Sequence, residues 1–190
     1  MKNEAILKSI ICLITEYKAE MVKQNPDQSV MGSMRYLLGQ SVRQYDIPKQ
    51  NHHLSQAAHN RWTTLSSDDI KKYHYQDRVI CDKLSGPVKF NSYNGSHGKG
   101  TPKTLTKDST FVFRELFHED HVIPVSMILD EMIRMQTVDN LSIESLLNKM
   151  HICVLLKEED RKIGRTRNRS LDFQETIKNA YNSANIYLYP

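Results

Sequence analysis

Cysteine is scarce in this chain of 190 residues, which contains only Cys12, Cys81 and Cys153. No two of these cysteines form a C-x-x-C pair, and this excludes a zinc knuckle. The thiols are odd in number and far apart, and no secretory signal is recognisable near the first residues. Both features favour a reducing cytoplasm over a secreted, disulfide-bonded domain, so we expect a cytoplasmic protein.

Long hydrophobic runs are also missing. The most apolar stretch, 5–14, includes Lys8 and is far shorter than the roughly 20 residues that a membrane-spanning helix needs. We therefore expect no membrane partner. Hydrophobic residues still make up 39% of the chain and are spread along its length, which excludes a disordered chain. The length is that of one ordinary domain, or of one domain with a small appendage.

Neither sign of charge dominates the composition. Lysine and arginine together number 26, against 22 aspartates and glutamates, so the formal net charge is +4 at pH 7. A mildly basic chain of this kind is compatible with a nucleic-acid partner but does not require one.

Hydrophobic periodicity predicts helices in the N-terminal part of the chain. Apolar residues recur at helical spacing over 3–24, where Asn25-Pro26 ends the helix, and again over 33–44. The polar, histidine-rich segment 49–62 is interpreted as containing a short third helix. Apolar runs bounded by turn residues predict short strands at 78–81, 88–93 and 110–113.

The C-terminal half alternates between strand and helix patterns. Strand character is predicted around Val122–Val125 and over 151–156, and helices are predicted over 126–135, 142–150 and 172–184. The second of these strands leads directly into an acidic and then basic stretch that is typical of a helix start. We therefore expect an α+β fold.

The dipeptide Asp120-His121 and its surroundings are the part of the sequence that indicates a catalytic function. Asp120-His121 is followed by Val-Ile-Pro, and a downstream apolar strand begins with His151, nine positions before Asp160. In these elements the sequence resembles the HNH, or ββα-metal, nuclease family over about residues 110–165. That motif begins with an acidic residue and a histidine on a strand and continues with an asparagine on a second strand. It ends nine residues later on the first turn of a helix.

The resemblance implies a recognition region over 1–108, which is helical with a small β element. It also implies a helix-extended ββα-metal nuclease core over 109–190, which includes the basic segment and a C-terminal helix. It implies a restriction-type DNA endonuclease that hydrolyses phosphodiester bonds with Mg²⁺ or Mn²⁺. Double-stranded DNA would be the substrate. Cleavage of both strands would need a homodimer or two sequential nicks.

The same resemblance implies roles for individual residues. His121 stands at the position of the general base, a role that suits an imidazole because its pKa lies near neutrality. Asp120 and Asp160 stand at the metal-ligand positions, with Glu159 as an alternative ligand, and carboxylate oxygens suit Mg²⁺. His151 occupies the family's asparagine position, where it would orient His121 or polarise the phosphate. Water activated by His121 would attack phosphorus directly, and the metal would stabilise the pentacovalent phosphate and the leaving 3′ oxygen.

The sequence departs from the family's pattern in four respects. The middle asparagine is replaced by His151, with Asn148 as a nearby substitute. The final residue is the acidic Asp160, which leaves Glu159 or Glu158 as alternative ligands. The separation between His121 and His151 is long for this motif and requires helices inserted between its two strands. Cysteine pairs found in many members are missing, so an apolar core around Cys153 must replace them. His118 and Glu119 lie beside the motif, and either residue is a candidate for supporting the metal ligands.

A basic stretch follows the motif and predicts salt-sensitive contacts with phosphates that do not depend on base sequence. It contains five basic residues within nine positions: Arg161, Lys162, Arg165, Arg167 and Arg169. Two other interpretations stay open. A non-catalytic DNA-binding protein with a degenerate HNH core would bind DNA without cutting it. A helical interaction module with a coincidental resemblance would do neither.

Overall fold

The computed structural model describes residues 2–93, 100–163 and 168–190. Within this part the chain is mixed α+β, as the hydrophobic pattern predicts. The α-helices are α1 (Lys2–Met21), α2 (Gln28–Arg43), α3 (Gln56–Leu65), α4 (Val125–Arg134), α5 (Asn140–Leu147), α6 (Lys157–Asp160) and α7 (Phe173–Thr176), and a π-helix over Ile177–Tyr181 follows α7. The strands are β1 (His52–Leu54), β2 (Arg78–Ile80), β3 (Val88–Ser92), β4 (Thr101–Leu105), β5 (Thr110–Val112), β6 (Phe117–His121) and β7 (Ile152–Leu156).

The chain divides into two compact units, each assembled from separate segments. One unit contains Met1–Asn51, His121–His151 and Arg169–Thr176, and the other contains His52–Asp120, Ile152–Asn168 and Ile177–Pro190. Neither unit has a boundary at residue 108, the position of the predicted division. The physical reason is that α1 and α2 pack with α4 and α5, while β2 pairs with β5 across that position.

The first unit is helical and has its own apolar core. Ile10, Ile14, Leu38, Ile128 and Leu147 are buried there on the inner faces of α1, α2, α4 and α5. Helix α2 begins five residues before the predicted start at residue 33. Asp27 accounts for the difference, because its Oδ1 accepts hydrogen bonds from the backbone N–H groups of Ser29 and Val30 and so caps the helix.

Helices α4 and α5 lie between β6 and β7 in the chain, where the spacing of the motif requires inserted helices. The predicted strand around Val122–Val125 is wrong in its position, because β6 ends at His121. Pro124 then precedes α4 with a φ of −57°, which suits the start of a helix. Ile123 is buried in the core of the helical unit, and this explains its strand-like apolar character.

The second unit holds three small sheets around an aromatic core. The sheets have the strand orders β1-β7-β6, β2-β5 and β3-β4. Trp62, Phe113 and Phe117 pack in the core, with ring centroids 5.1 Å apart for the two phenylalanines and 5.6 Å for Trp62 and Phe117. Strand β1 pairs in parallel with β7. The sequence does not predict β1, because His-His-Leu is too short and polar to show a strand pattern.

Strands β6 and β7 and helix α6 form a strand–strand–helix motif. The two strands run antiparallel, because the N–H of Lys157 donates to Leu116 O and, at the other end, that of Val122 donates to His151 O. Helix α6 follows β7 without an intervening loop. Side chains on one face of β6 therefore lie close to those of α6. No helix in the described part of the chain has the length and apolar character that crossing a bilayer requires.

Candidate metal centre

Three side chains converge where β6 meets α6. His118, Asp120 and Asp160 each offer a ligand atom, and these atoms all lie within 4.8 Å of one another. His118 and Asp120 are two residues apart on β6 and so share a face of the strand, opposite to that of the core residue Phe117. His118 Nε2 lies 3.6 Å from Asp160 Oδ1. Two ligand atoms at about 2.0–2.2 Å from one ion are at most ~4.4 Å apart, so the 3.6 Å between His118 Nε2 and Asp160 Oδ1 is compatible with a shared divalent cation.

The environment of His118 favours the neutral imidazole. Burial is the largest cause and lowers the pKa of His118, while the Asp160 carboxylate partly offsets it by favouring the cation. A neutral imidazole is the form that binds a metal ion. His118 is therefore ready to act as a ligand at neutral pH.

Lys157 is a buried lysine beside this centre. The residue is 3% exposed, and its Nζ lies 3.4 Å from His118 Nδ1. The Nδ1 side of the imidazole therefore faces Lys157, and Nε2 faces Asp160. An ion on Nε2 leaves the ring proton on Nδ1. Burial lowers the pKa of Lys157, because desolvation disfavours its charged form.

Tyr181 orients the second ligand. Its side chain is fully buried, and its hydroxyl donates a hydrogen bond to Asp120 Oδ2. A hydrogen bond of this kind fixes the direction of a carboxylate that binds a metal. The sequence contains no signal for this contact, because Tyr181 is 61 residues away from Asp120 in the chain.

Glu159, the alternative ligand predicted from the sequence, has a structural role instead. It is buried, and its Oε2 accepts hydrogen bonds from the Leu156 N–H at 2.9 Å and from the Ser55 hydroxyl. The first bond caps α6. The second joins α6 to α3, since Ser55 is also the N-cap of α3 and accepts a hydrogen bond from the N–H of Ala58. Asp160, not Glu159, is the acid of α6 that belongs to the three-residue cluster.

The substitution Glu159→Ala is expected to lower the free energy of unfolding by about 2–3 kcal/mol, because it leaves the buried Ser55 hydroxyl and the half-buried Leu156 N–H without their acceptor. Urea denaturation measures this effect. Glu158→Ala is the matched control, since Glu158 is exposed on the same helix, and it should change stability by less than about 0.5 kcal/mol. Equal effects of the two substitutions would contradict the structural role of Glu159.

The two histidines predicted as catalytic lie outside the three-residue cluster. His121 is the last residue of β6 and directly follows Asp120. The Arg169 guanidinium donates a hydrogen bond to the His121 backbone carbonyl at 2.8 Å. His151 directly precedes β7, and its ring stacks on Phe173 with the centroids 4.0 Å apart.

The predicted phosphate-binding residues have different environments. The Arg161 guanidinium lies over the Tyr93 ring, 4.0 Å from its centre, and Lys162 is exposed. Arg169 donates to the backbone carbonyls of His121 and Val122, so its guanidinium has a structural role. Two members of the set lie outside the described residues: Arg165 and Arg167.

Comparison of the chain with protein-family models, with curated proteins and with solved structures found no significant match. The resemblance to HNH nucleases therefore rests on the residues and spacings of the motif alone. Any function has to be argued from the geometry and chemistry of the centre itself.

Proposed function

We propose that this protein is a metal-dependent phosphodiesterase that cleaves DNA, with His118, Asp120 and Asp160 as its metal ligands. The observation that carries the proposal is their convergence at the junction of β6 and α6. Lys157 and Arg161 add positive charge beside a centre whose natural substrate would be a phosphate anion.

The three ligands and His121 have separate roles in the proposed hydrolysis. A divalent cation on the three ligands would neutralise the negative charge that develops on the phosphate. His121, next to Asp120 in the chain, takes a proton from the attacking water. The water oxygen bonds to phosphorus as the bond from phosphorus to the leaving 3′ oxygen breaks. That oxygen then takes a proton from solvent.

The chemical types of the three ligands determine which divalent ion the centre prefers. Mg²⁺ favours an all-oxygen shell, whereas an imidazole nitrogen suits first-row transition metals. One histidine beside two aspartates therefore favours Mn²⁺ over Mg²⁺, the two ions that the resemblance implies. Two neutralising carboxylates remain compatible with both ions.

Mn²⁺ is expected to stabilise the wild-type protein against unfolding by about 2.7 kcal/mol when its concentration is 100 times the Kd, since the ion binds only the folded state. Thermal denaturation at increasing Mn²⁺ measures the shift, with EDTA as the zero point. The double variant Asp120→Asn, Asp160→Asn should lose it, because two anionic ligands are removed.

Asp108→Asn is the matched control. Asp108 is exposed and has a φ of 61°, a left-handed conformation that asparagine adopts readily. Its Mn²⁺ response should equal that of the wild type. A wild-type protein without any Mn²⁺ response, or a response that the double variant keeps, would overturn the proposed centre.

A further inference from the structure

The second unit contains a cavity of about 340 Å³ with an apolar wall and a charged rim. Phe90 and Leu116 form part of the wall and are 8% exposed. Arg61 and Lys89 line the same cavity. A ligand that fits both features has an apolar, planar part and an anionic part. The volume lies at the lower end of the ~300–1,000 Å³ typical of ligand pockets, which suits one small unit rather than a duplex.

The charge of the rim is mainly positive. The cavity is lined by three cationic side chains, those of Arg61, Lys89 and Lys157, and by one acid, Glu158. Within the described ranges neither Arg61 nor Lys89 takes part in an ion pair, whereas Lys103 on the neighbouring strand is paired with Glu115. Arg61 and Lys89 are therefore available to an anion from solution.

Tyr93 forms a rigid aromatic part of the wall. The Arg161 guanidinium covers its ring, 4.0 Å from the centroid, and Gly100 packs against it. A Cβ at residue 100 would lie 2.7 Å from Tyr93 Cε1 and 2.8 Å from Asn91 Cβ, so only glycine fits there. The aromatic wall is therefore held in place before a ligand binds, which limits the entropy cost of binding.

Lys157 links the cavity to the metal centre. It lines the cavity, and its Nζ lies 3.4 Å from Nδ1 of the candidate ligand His118. A molecule in the cavity and a phosphate at the metal centre would therefore both lie beside Lys157. A strand of nucleic acid provides such a molecule, because it carries a base and a phosphate in every unit.

We infer that this cavity binds one nucleotide of the nucleic-acid strand that is cleaved at the metal centre. The base packs against Phe90 and Tyr93, and its phosphate contacts Arg61 and Lys89. The inference rests on the proposed function, because it assigns a subsite to the same substrate. A base can enter the cavity only when it is unstacked. The preferred substrate is therefore a single strand, or a duplex that opens locally, rather than intact duplex DNA.

Binding in EDTA tests the subsite without cleavage. The probe is a fluorescent single-stranded decamer of thymidylate, and its Kd is measured by fluorescence anisotropy. The double variant Arg61→Gln, Lys89→Gln should bind at least about tenfold more weakly, because it loses two phosphate contacts. The matched control is Arg78→Gln, Lys107→Gln, which removes two exposed cations of the same unit and should bind within about twofold of the wild type. Equal losses in the two double variants, or no binding by the wild type, overturn the inference.

Two further arms identify the ligand. The decamer should bind at least about tenfold more tightly than thymidine 5′-phosphate, because a strand makes several phosphate contacts. Equal affinities would mean that the cavity takes a free nucleotide and would overturn the inference. A decamer with 5-iododeoxyuridine should cross-link, on irradiation, to the peptide that contains Phe90 and Tyr93. A lack of adduct on that peptide would overturn the placement of the base.

Comparison of binding with cleavage distinguishes a failure of the subsite from a failure of the proposed function. DNA cleavage with unchanged binding in the Arg61→Gln, Lys89→Gln variant would leave the nuclease standing and remove the subsite. Decamer binding through Arg61 and Lys89 without cleavage in any metal would remove the nuclease and leave a nucleotide-binding cavity.

Discussion

The substitution Asp160→Asn is expected to lower the rate of DNA cleavage by about 10³-fold or more. The amide keeps the shape of the side chain but removes a negative ligand from the His118–Asp120–Asp160 cluster. An ion contributes several kcal/mol of charge stabilisation in the transition state, and about 1.4 kcal/mol corresponds to a factor of ten. Single-turnover cleavage of plasmid DNA in Mn²⁺ measures the change.

Asp108→Asn serves as the control for this prediction, since it makes the same chemical change at an exposed turn. Its cleavage rate should equal that of the wild type. Asp120→Asn should lower the cleavage rate by a similar factor to Asp160→Asn, because Asp120 belongs to the same cluster and is oriented by Tyr181. If Asp160→Asn cuts at the wild-type rate in Mn²⁺, Asp160 is not a ligand of the catalytic ion.

The substitution His121→Ala is expected to lower cleavage by about 10²–10⁴-fold, the range in which a general base contributes to an enzymatic reaction. The alanine removes the group that accepts the proton of the attacking water and leaves the three ligands in place. The measurement is again single-turnover cleavage, followed across pH. The acidic limb of the wild-type profile, where the imidazole becomes protonated, should be absent from the residual activity of the variant.

Metal binding separates the two variants. His121→Ala should keep the full thermal shift with Mn²⁺, because His121 is outside the three-residue cluster. Asp160→Asn should lose most of that shift. A variant His121→Ala that cleaves as fast as the wild type would assign the base to another group and remove His121 from the mechanism.

Regular patterns in the sequence predict most of the elements that build the centre. The amphipathic spacing of 3–24 corresponds to α1, and the inserted helices correspond to α4 and α5. The apolar run before Lys157 forms β7, and the acidic stretch after it forms α6. Asp120 and Asp160 come together as expected, because an antiparallel strand pair followed directly by a helix brings the two positions to one place.

His118 is predicted beside the centre but not among its ligands. The sequence does contain a signal for it, since residues two apart on a strand share a face and His118 precedes Asp120 by two. Glu159 also carries a signal, because a glutamate at the third position of a helix commonly accepts a hydrogen bond from the N-cap N–H. For both residues, the role predicted from the motif differs from the role that the position on the strand or helix gives.

The remaining features depend on contacts between distant parts of the chain. Tyr181 reaches Asp120, and Ser55 reaches Glu159 across 104 residues. The division into units has the same cause, because both units are assembled from segments that are far apart in the sequence. Periodicity and composition describe neighbours along the chain, so they contain no information on such pairs.

The most direct test of the central claim is cleavage of a supercoiled plasmid by the wild-type protein in Mn²⁺, in Mg²⁺ and in EDTA. Asp160→Asn and His121→Ala are assayed in parallel, with Asp108→Asn as the control. We predict nicked or linear product with Mn²⁺, less with Mg²⁺, none with EDTA and almost none with the two site variants. Intact plasmid in both metals, or cleavage that persists in EDTA or in Asp160→Asn, would contradict a metal-dependent nuclease at this centre.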